Sequence, residues 1–152
     1  MRPGHDCGDM TELSGDGLLA LPVRLHEIEL GRPVDLLLDR EGLRAVGLDV
    51  LCGDGVHRFL PLPTASIGPD ALTIHSPLVL LEEDELDFYR SRAFALSALR
   101  GRPVTHERRE VGSLQDVILG LDGELIAVVL ETGERVAFDG TVVFAPRRRT
   151  AA

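Results

Sequence analysis

Leu30-Gly31-Arg32-Pro33-Val34 returns further along the chain as Leu99-Arg100-Gly101-Arg102-Pro103-Val104, so Gly-Arg-Pro-Val occurs twice, 70 positions apart. Each occurrence leads to an apolar stretch holding an Asp-Val pair, Asp49-Val50-Leu51 in the first and Asp116-Val117-Ile118-Leu119 in the second. An Asp-Gly pair follows each time, Asp54-Gly55 and Asp122-Gly123, and then a further β-rich run. A single four-residue match is weak, but a series kept in order predicts an internal duplication. The expected correspondence sets Gly31 on Gly101 and Asp49 on Asp116.

Working outward, the periodicity is that of strands. Val, Leu and Ile dominate runs of five to nine residues punctuated by Gly, Pro and Asp, the pattern of short antiparallel strands. Asp-Gly between apolar runs predicts type I′ hairpin turns, and Thr132-Gly133 offers another turn. The second copy reads as a meander over 102–105, 111–119, 124–130, 135–138 and 141–144. The first reads as 33–38, 44–51, 57–62 and 71–75. Between them, Glu82-Glu83-Asp84-Glu85-Leu86-Asp87-Phe88-Tyr89-Arg90 is the helix candidate. Its acids suit the positive end of the helix dipole, and Leu86 and Tyr89, three apart, share a face. The chain therefore divides into a flexible tail at 1–17, a first repeat at 18–81, an acidic helical connector at 82–95, a second repeat at 96–146 and a basic tail at 147–152.

A Leu-x-Gly-x-x-Val opening, then Gly-x-x-x-Asp-Val, an Asp-Gly hairpin and a hydrophobic strand resemble the PRC-barrel family. The second copy carries Gly101, Val104, Gly112, Asp116, Val117 and Gly123 in order; the first departs from the pattern, with Ala45 where a glycine before Asp49 is expected. The resemblance implies an all-β protein, two small antiparallel PRC-like β-barrels in tandem with a short helix between them. It implies a module that docks onto a larger assembly, and it transfers no catalytic residue. The ribosome-maturation branch of that family suggests the alternative, an RNA- or ribosome-associated factor.

Composition narrows the choice. With 16 basic residues, all arginine, against 25 acidic ones, the formal net charge is −9. That disfavours general nucleic-acid binding, which draws on clustered cations, although Arg100, Arg102, Arg108 and Arg109 lie close in sequence and Arg147-Arg148-Arg149 forms a basic end. No apolar run approaches the roughly 20 residues of a membrane-spanning helix, and no apolar leader follows Met1-Arg2-Pro3-Gly4. Two cysteines, Cys7 and Cys52, build no disulfide framework, and the expected location is the cytoplasm.

No catalytic, cofactor-binding or metal-binding residue is assigned, and no enzymatic activity is expected. Asp49 and Asp116 invite a carboxylate-pair reading, but local acceptance of turn amides is the expected role. His5, His26, His57, His75 and His106 show no zinc-site spacing. His5-Asp6-Cys7 lacks a fourth ligand, and Cys52 reads as a small buried hydrophobe. Gly53-Asp54-Gly55 precedes a strand rather than a helix, so it is no phosphate loop. The acidic run 82–87 is expected to be a solvated helix start. The expected partner is a protein, and a homodimer is admitted. In the strand over 124–130, Leu125 and Val129 face opposite Ile126 and Val128; both faces being apolar, the outer one is expected to be covered by the first copy or by a second subunit.

Overall fold

The computed structural model describes residues 12–145. The tail residues 1–11 and 146–152, with Cys7, His5 and the three terminal arginines, lie outside the described residues. In chain order the elements are β1 (Glu12–Ser14), α1 (Gly15–Leu19), β2 (Val23–Leu25), β3 (Ile28–Asp39), β4 (Ala45–Cys52), β5 (His57–Pro61), β6 (Ser66–Ile67) and β7 (Leu72–Ile74). Then come α2 (Glu83–Ser91), β8 (Ala93–Ala95), α3 (Leu96–Leu99), β9 (Pro103–His106), β10 (Arg109–Gly120), β11 (Leu125–Leu130), β12 (Arg135–Ala137) and β13 (Val143–Phe144). Most of the structure is β, as the strand periodicity predicts. The stretch 12–17, read from sequence as part of a flexible tail, forms β1 and the start of α1, where the Ser14 side chain caps the helix through Gly17 N.

The strands form two open sheets and no closed barrel. One runs β12-β11-β10-β9-β13 and the other β5-β4-β3-β2-β7-β6. Each is organised on one long strand of 12 residues, β3 or β10. β3 pairs with β4 and slips register between Pro33 and Asp35 and again between Leu37 and Leu38. β10 pairs with β11 and slips between Leu114 and Asp116 and between Ile118 and Leu119, the same places 81 positions on. On the opposite edges Val23 sits across from Gly31 and Val104 from Gly112, again 81 apart. A β-bulge bends a strand and re-aims its side chains, so equal bulge positions give the two sheets the same shape.

This correspondence differs from the one read off Gly-Arg-Pro-Val. Gly31 lies within β3, whereas Gly101, at φ 87°, lies in the turn between α3 and β9. Asp49 belongs to β4 and Asp116 to β10. The counterparts are Gly31 with Gly112 and Asp35 with Asp116. In its first occurrence the four-residue string crosses a mid-strand bulge; in its second it leads from a turn into a strand, so the identity carries no register.

The two halves exchange edge strands. β1 pairs with the end of β10, Glu12 to Gly120 and Ser14 to Ile118, while β8 pairs with the end of β3, Ala93 to Asp39 and Ala95 to Leu37. Each half's sheet is thus completed by the segment that leads into the other half. The core is correspondingly one body: Leu18, Leu36, Leu48 and Leu60 cluster with Leu99, Val117, Val128 and Leu130, all fully buried. A second, small cluster of Leu37, Phe59, Leu86 and Ala93 forms where α2 covers the outer face of the first half.

The hairpin turns depart from the expected type. Gly55, Gly123 and Gly133 take φ of 82°, 90° and 92°, but Asp54, Asp122 and Thr132 keep negative φ. In each turn the glycine N–H returns to the carbonyl three residues back, as from Gly123 to Gly120 O. Only one left-handed residue is used, the geometry of a type I turn closed by a glycine bulge. At the β9–β10 connection both central residues, Glu107 and Arg108, have positive φ without being glycine, and no Asn or Gly marked that hairpin in the sequence.

Candidate functional site

Asp35 and Asp116 occupy equal places after the first bulge of β3 and β10. Asp35 accepts the backbone N–H and hydroxyl of Ser97 at the start of α3, at 3.1 and 2.5 Å. Asp116 accepts the N–H of Asp16 at the start of α1, at 3.2 Å, and its own following amide from Val117 at 2.8 Å. Each carboxylate ties the exchanged strand–helix segment to the host sheet, satisfying a helix N-terminal N–H that has no intrahelical acceptor. Arg100 completes the second tie by pairing with Asp16 and donating to Gln115 O. Burial holds the Asp116 carboxyl above its usual value, against the downward pull of its two backbone N–H donors. Asp116 thus accepts backbone N–H groups as expected, but from a helix start 100 residues away and from the next residue of its own strand rather than from a nearby turn, and Asp35 is its equivalent.

Asp49 is different. It is buried on β4, and its counterpart on β11 is Val129, since Asp35 faces Asp49 while Asp116 faces Val129. Its Oδ1 lies 2.8 Å from His57 Nδ1, and its Oδ2 accepts from Arg90 Nη2 of α2 at 2.5 Å. With the carboxylate ionised, the His57 bond requires the proton on Nδ1. Asp49 and Asp116 sit in different sheets and form no carboxylate pair. What Asp49 builds is a clamp between β4, β5 and α2. The same helix places Tyr89 on the Phe59 ring in a stack, centroids 4.2 Å apart and 13° between planes, and buries Leu86. Leu86 and Tyr89 do share the packed face, as their spacing predicts.

That helix separates two otherwise equivalent surfaces. On the outer face of the first half, Leu37, Val46, Phe59 and Ala93 lie beneath α2. By register, the same positions of the second half hold Ile118, Ile126, Arg135 and Glu12. No helix of the described residues covers this second face. Arg135 Nη2 instead reaches Glu12 Oε2 at 2.8 Å, an ion pair joining β12 to β1. Ile118, Ile126 and Val129 remain partly exposed, while Ala127 is 1% exposed. Of the two strand-β11 residues expected on a covered outer face, Leu125 belongs to the common core, redirected by the bulge beside it, and Val129 faces outward.

The remaining candidates are scattered. His26 sits in the β2–β3 turn, His75 is exposed, and His106 Nε2 lies 3.2 Å from Asp139 Oδ2. Cys52 is buried, its thiol donating to Val50 O at 3.9 Å. Glu83, Asp84 and Glu85 form the first turn of α2. Among the described residues, no three His, Cys, Asp or Glu side chains gather in a metal-holding group. The arginines close in sequence diverge in space: Arg100 joins the Asp16 tie, Arg102 lies 5.7 Å from the Phe94 ring centre, Arg108 sits within the β9–β10 turn and Arg109 opens β10. Among the described residues, clefts of about 360, 460 and 340 Å3 open where the halves meet, the first lined by Leu62, Ile67 and Leu121, the second by Asp39, Arg44 and Glu124, and the third by Phe94, Phe138 and Phe144. No helix of the described residues is long and apolar enough to cross a membrane.

No family model matches this chain, and no curated protein matches it.

Proposed function

We propose that this protein is a non-catalytic assembly module made of two diverged copies of one PRC-barrel-like unit, whose second half docks a protein partner. The single observation that carries this reading is the inequality of two equivalent sheet faces. One is sealed by α2 with a buried leucine, a ring stack and an ion pair; the other leaves branched aliphatic side chains partly exposed. An apolar sheet face left without a covering element is the kind of surface on which a protein partner docks.

The duplication is supported by the coincident bulges, the matching Asp35 and Asp116 ties, and the reciprocal edge strands. In this register Gly31-x-x-x-Asp35-Leu36 stands against Gly112-x-x-x-Asp116-Val117, so the glycine–aspartate spacing that suggested the family occurs in both copies. The reading is tested by isolating the protein's partners from its host under mild conditions. A defined stoichiometric protein complex supports it. Recovery of RNA with steep salt dependence would move the assignment to the nucleic-acid alternative.

A further inference from the structure

Of the clefts between the halves, the one at Phe94, Phe138 and Phe144 gathers three of the chain's five phenylalanines. Both copies build it. Arg40 and Leu43 come from the β3–β4 connection, Phe94 lies on β8, Phe138 follows β12 and Phe144 lies on β13. All three rings are partly buried against the common core, and among the described residues none of them stacks on another ring. The core thus fixes the rings, and the cleft leaves part of their surface open to an apolar ligand.

The charges at this cleft are met unequally. The guanidinium carbons of Arg40 and Arg102 lie 5.2 and 5.7 Å from the centre of the Phe94 ring. Arg32, Arg44, Arg58, Arg90, Arg100 and Arg135 each pair with a carboxylate. Arg40 and Arg102 pair with none among the described residues, in a chain whose formal charge is −9. Arg102 Nε is also buried without an acceptor, so part of that guanidinium is desolvated and its charge is left unneutralised. The acids of the cleft do not cancel these cations. Asp139 accepts the backbone N–H and hydroxyl of Thr141 at 2.8 and 2.6 Å and lies 3.2 Å from His106 Nε2. Glu41 is exposed, where water and salt screen it.

We propose that this cleft binds a small planar aromatic carboxylate, its ring against Phe138 and Phe144 and its carboxylate on Arg40. A guanidinium offers a carboxylate two parallel N–H groups, and phenyl rings receive a flat ring in offset or edge-on contact. The nearby charge of Arg102 adds to the attraction. At about 340 Å3 the cleft stands at the small end of ligand pockets, roughly 300–1,000 Å3, a size that suits one or two fused rings. Binding here is independent of partner docking, so its failure leaves the assembly-module reading standing.

The test is calorimetric titration of the full chain with naphthoate at low salt, beside its neutral alcohol, its methylammonium analogue and cyclohexanecarboxylate. Expected is saturable binding of naphthoate with Kd below about 1 mM, within reach of a ligand of this size. Each of the other three should bind at least tenfold more weakly. Arg40→Ala should weaken naphthoate at least tenfold, and Arg40→Glu should turn the preference towards the methylammonium analogue. The Arg40 side chain is exposed, so both variants keep the fold, which the melting temperature verifies. Nuclear Overhauser contacts from naphthoate to the Phe94, Phe138 or Phe144 rings should place it in the cleft. No saturation, equal binding of the alcohol or the methylammonium analogue, or an affinity unchanged in Arg40→Ala overturns the proposal. So does tighter binding of the dipeptide Gly-Phe, since the site would then take the end of a polypeptide.

Discussion

At the scale of single residues, the two buried aspartates should answer to pH and to substitution in different ways. Asp116 has its carboxyl pushed above the usual 3.8 by burial. The folded state then holds this proton to higher pH than the unfolded chain, so the contribution is fully present below 3.8 and is lost as pH rises through the folded value. In Asp116→Asn that loss should be absent, and the melting-temperature difference, wild type minus variant, should shrink from acid to neutral pH; a difference independent of pH would refute it. Asp49 faces His57 and Arg90 instead, and its substitution by Asn removes a charged acceptor from beneath α2. We expect destabilisation of about 1–3 kcal/mol in urea, with Arg90→Ala costing less because that side chain is half-exposed and His57 remains. The sequence made both aspartates conspicuous and suggested that Asp116 accepts backbone amides, but not that one of them belongs to a helix 100 residues away. It hid Asp35, because what selects that residue is the bulge immediately before it, at Val34, and a bulge is a property of strand pairing rather than of composition.

Among elements, the docking of α2 depends on a close approach that one glycine allows. A Cβ on Gly47 would lie 2.4 Å from the Phe59 ring and 2.5 Å from Leu60 O. Gly47→Ala should therefore dislodge the ring on which Tyr89 stacks, at a cost of about 1–3 kcal/mol, visible as faster hydrogen exchange across 83–91. Unchanged exchange there would show that Phe59 relaxes without the helix. Leu86→Ala removes the one fully buried anchor of α2, a truncation class that costs about 2–5 kcal/mol in tight cores. Here the loss should be local, with exchange rising in α2 before it rises in β3 or β4. Strands over 124–130 and 135–138 and the acidic helix were legible from periodicity. β8 was not: three residues, Ala93-Phe94-Ala95, carry too little pattern, and only the far edge of β3 makes them a strand. The β9–β10 hairpin was equally hidden, since its turn uses Glu107 and Arg108 in place of the glycine or asparagine that usually marks such geometry.

For the whole molecule, the exchange of β1 and β8 makes the halves inseparable, and this was beyond sequence reading because strand exchange leaves no local signature. Two tandem barrels would melt as two units; a common core with reciprocal edges should melt as one. Leu13→Asp, placed on β1 against Leu119 of the second half, should lower the midpoint reported by Tyr89 fluorescence in the first half as much as that from far-ultraviolet dichroism. Two separated midpoints would contradict the single core. The same exchange orders events during synthesis. The first half gains its borrowed strand once residue 95 has been made, whereas Glu12 finds Gly120 only 108 positions later. The strand that opens the described fold is thus among the last to find its place. Until then Leu13 and Leu18 travel beside a nascent chain that is already half assembled, and closure waits for a contact between distant parts of the polypeptide, the slow kind in folding.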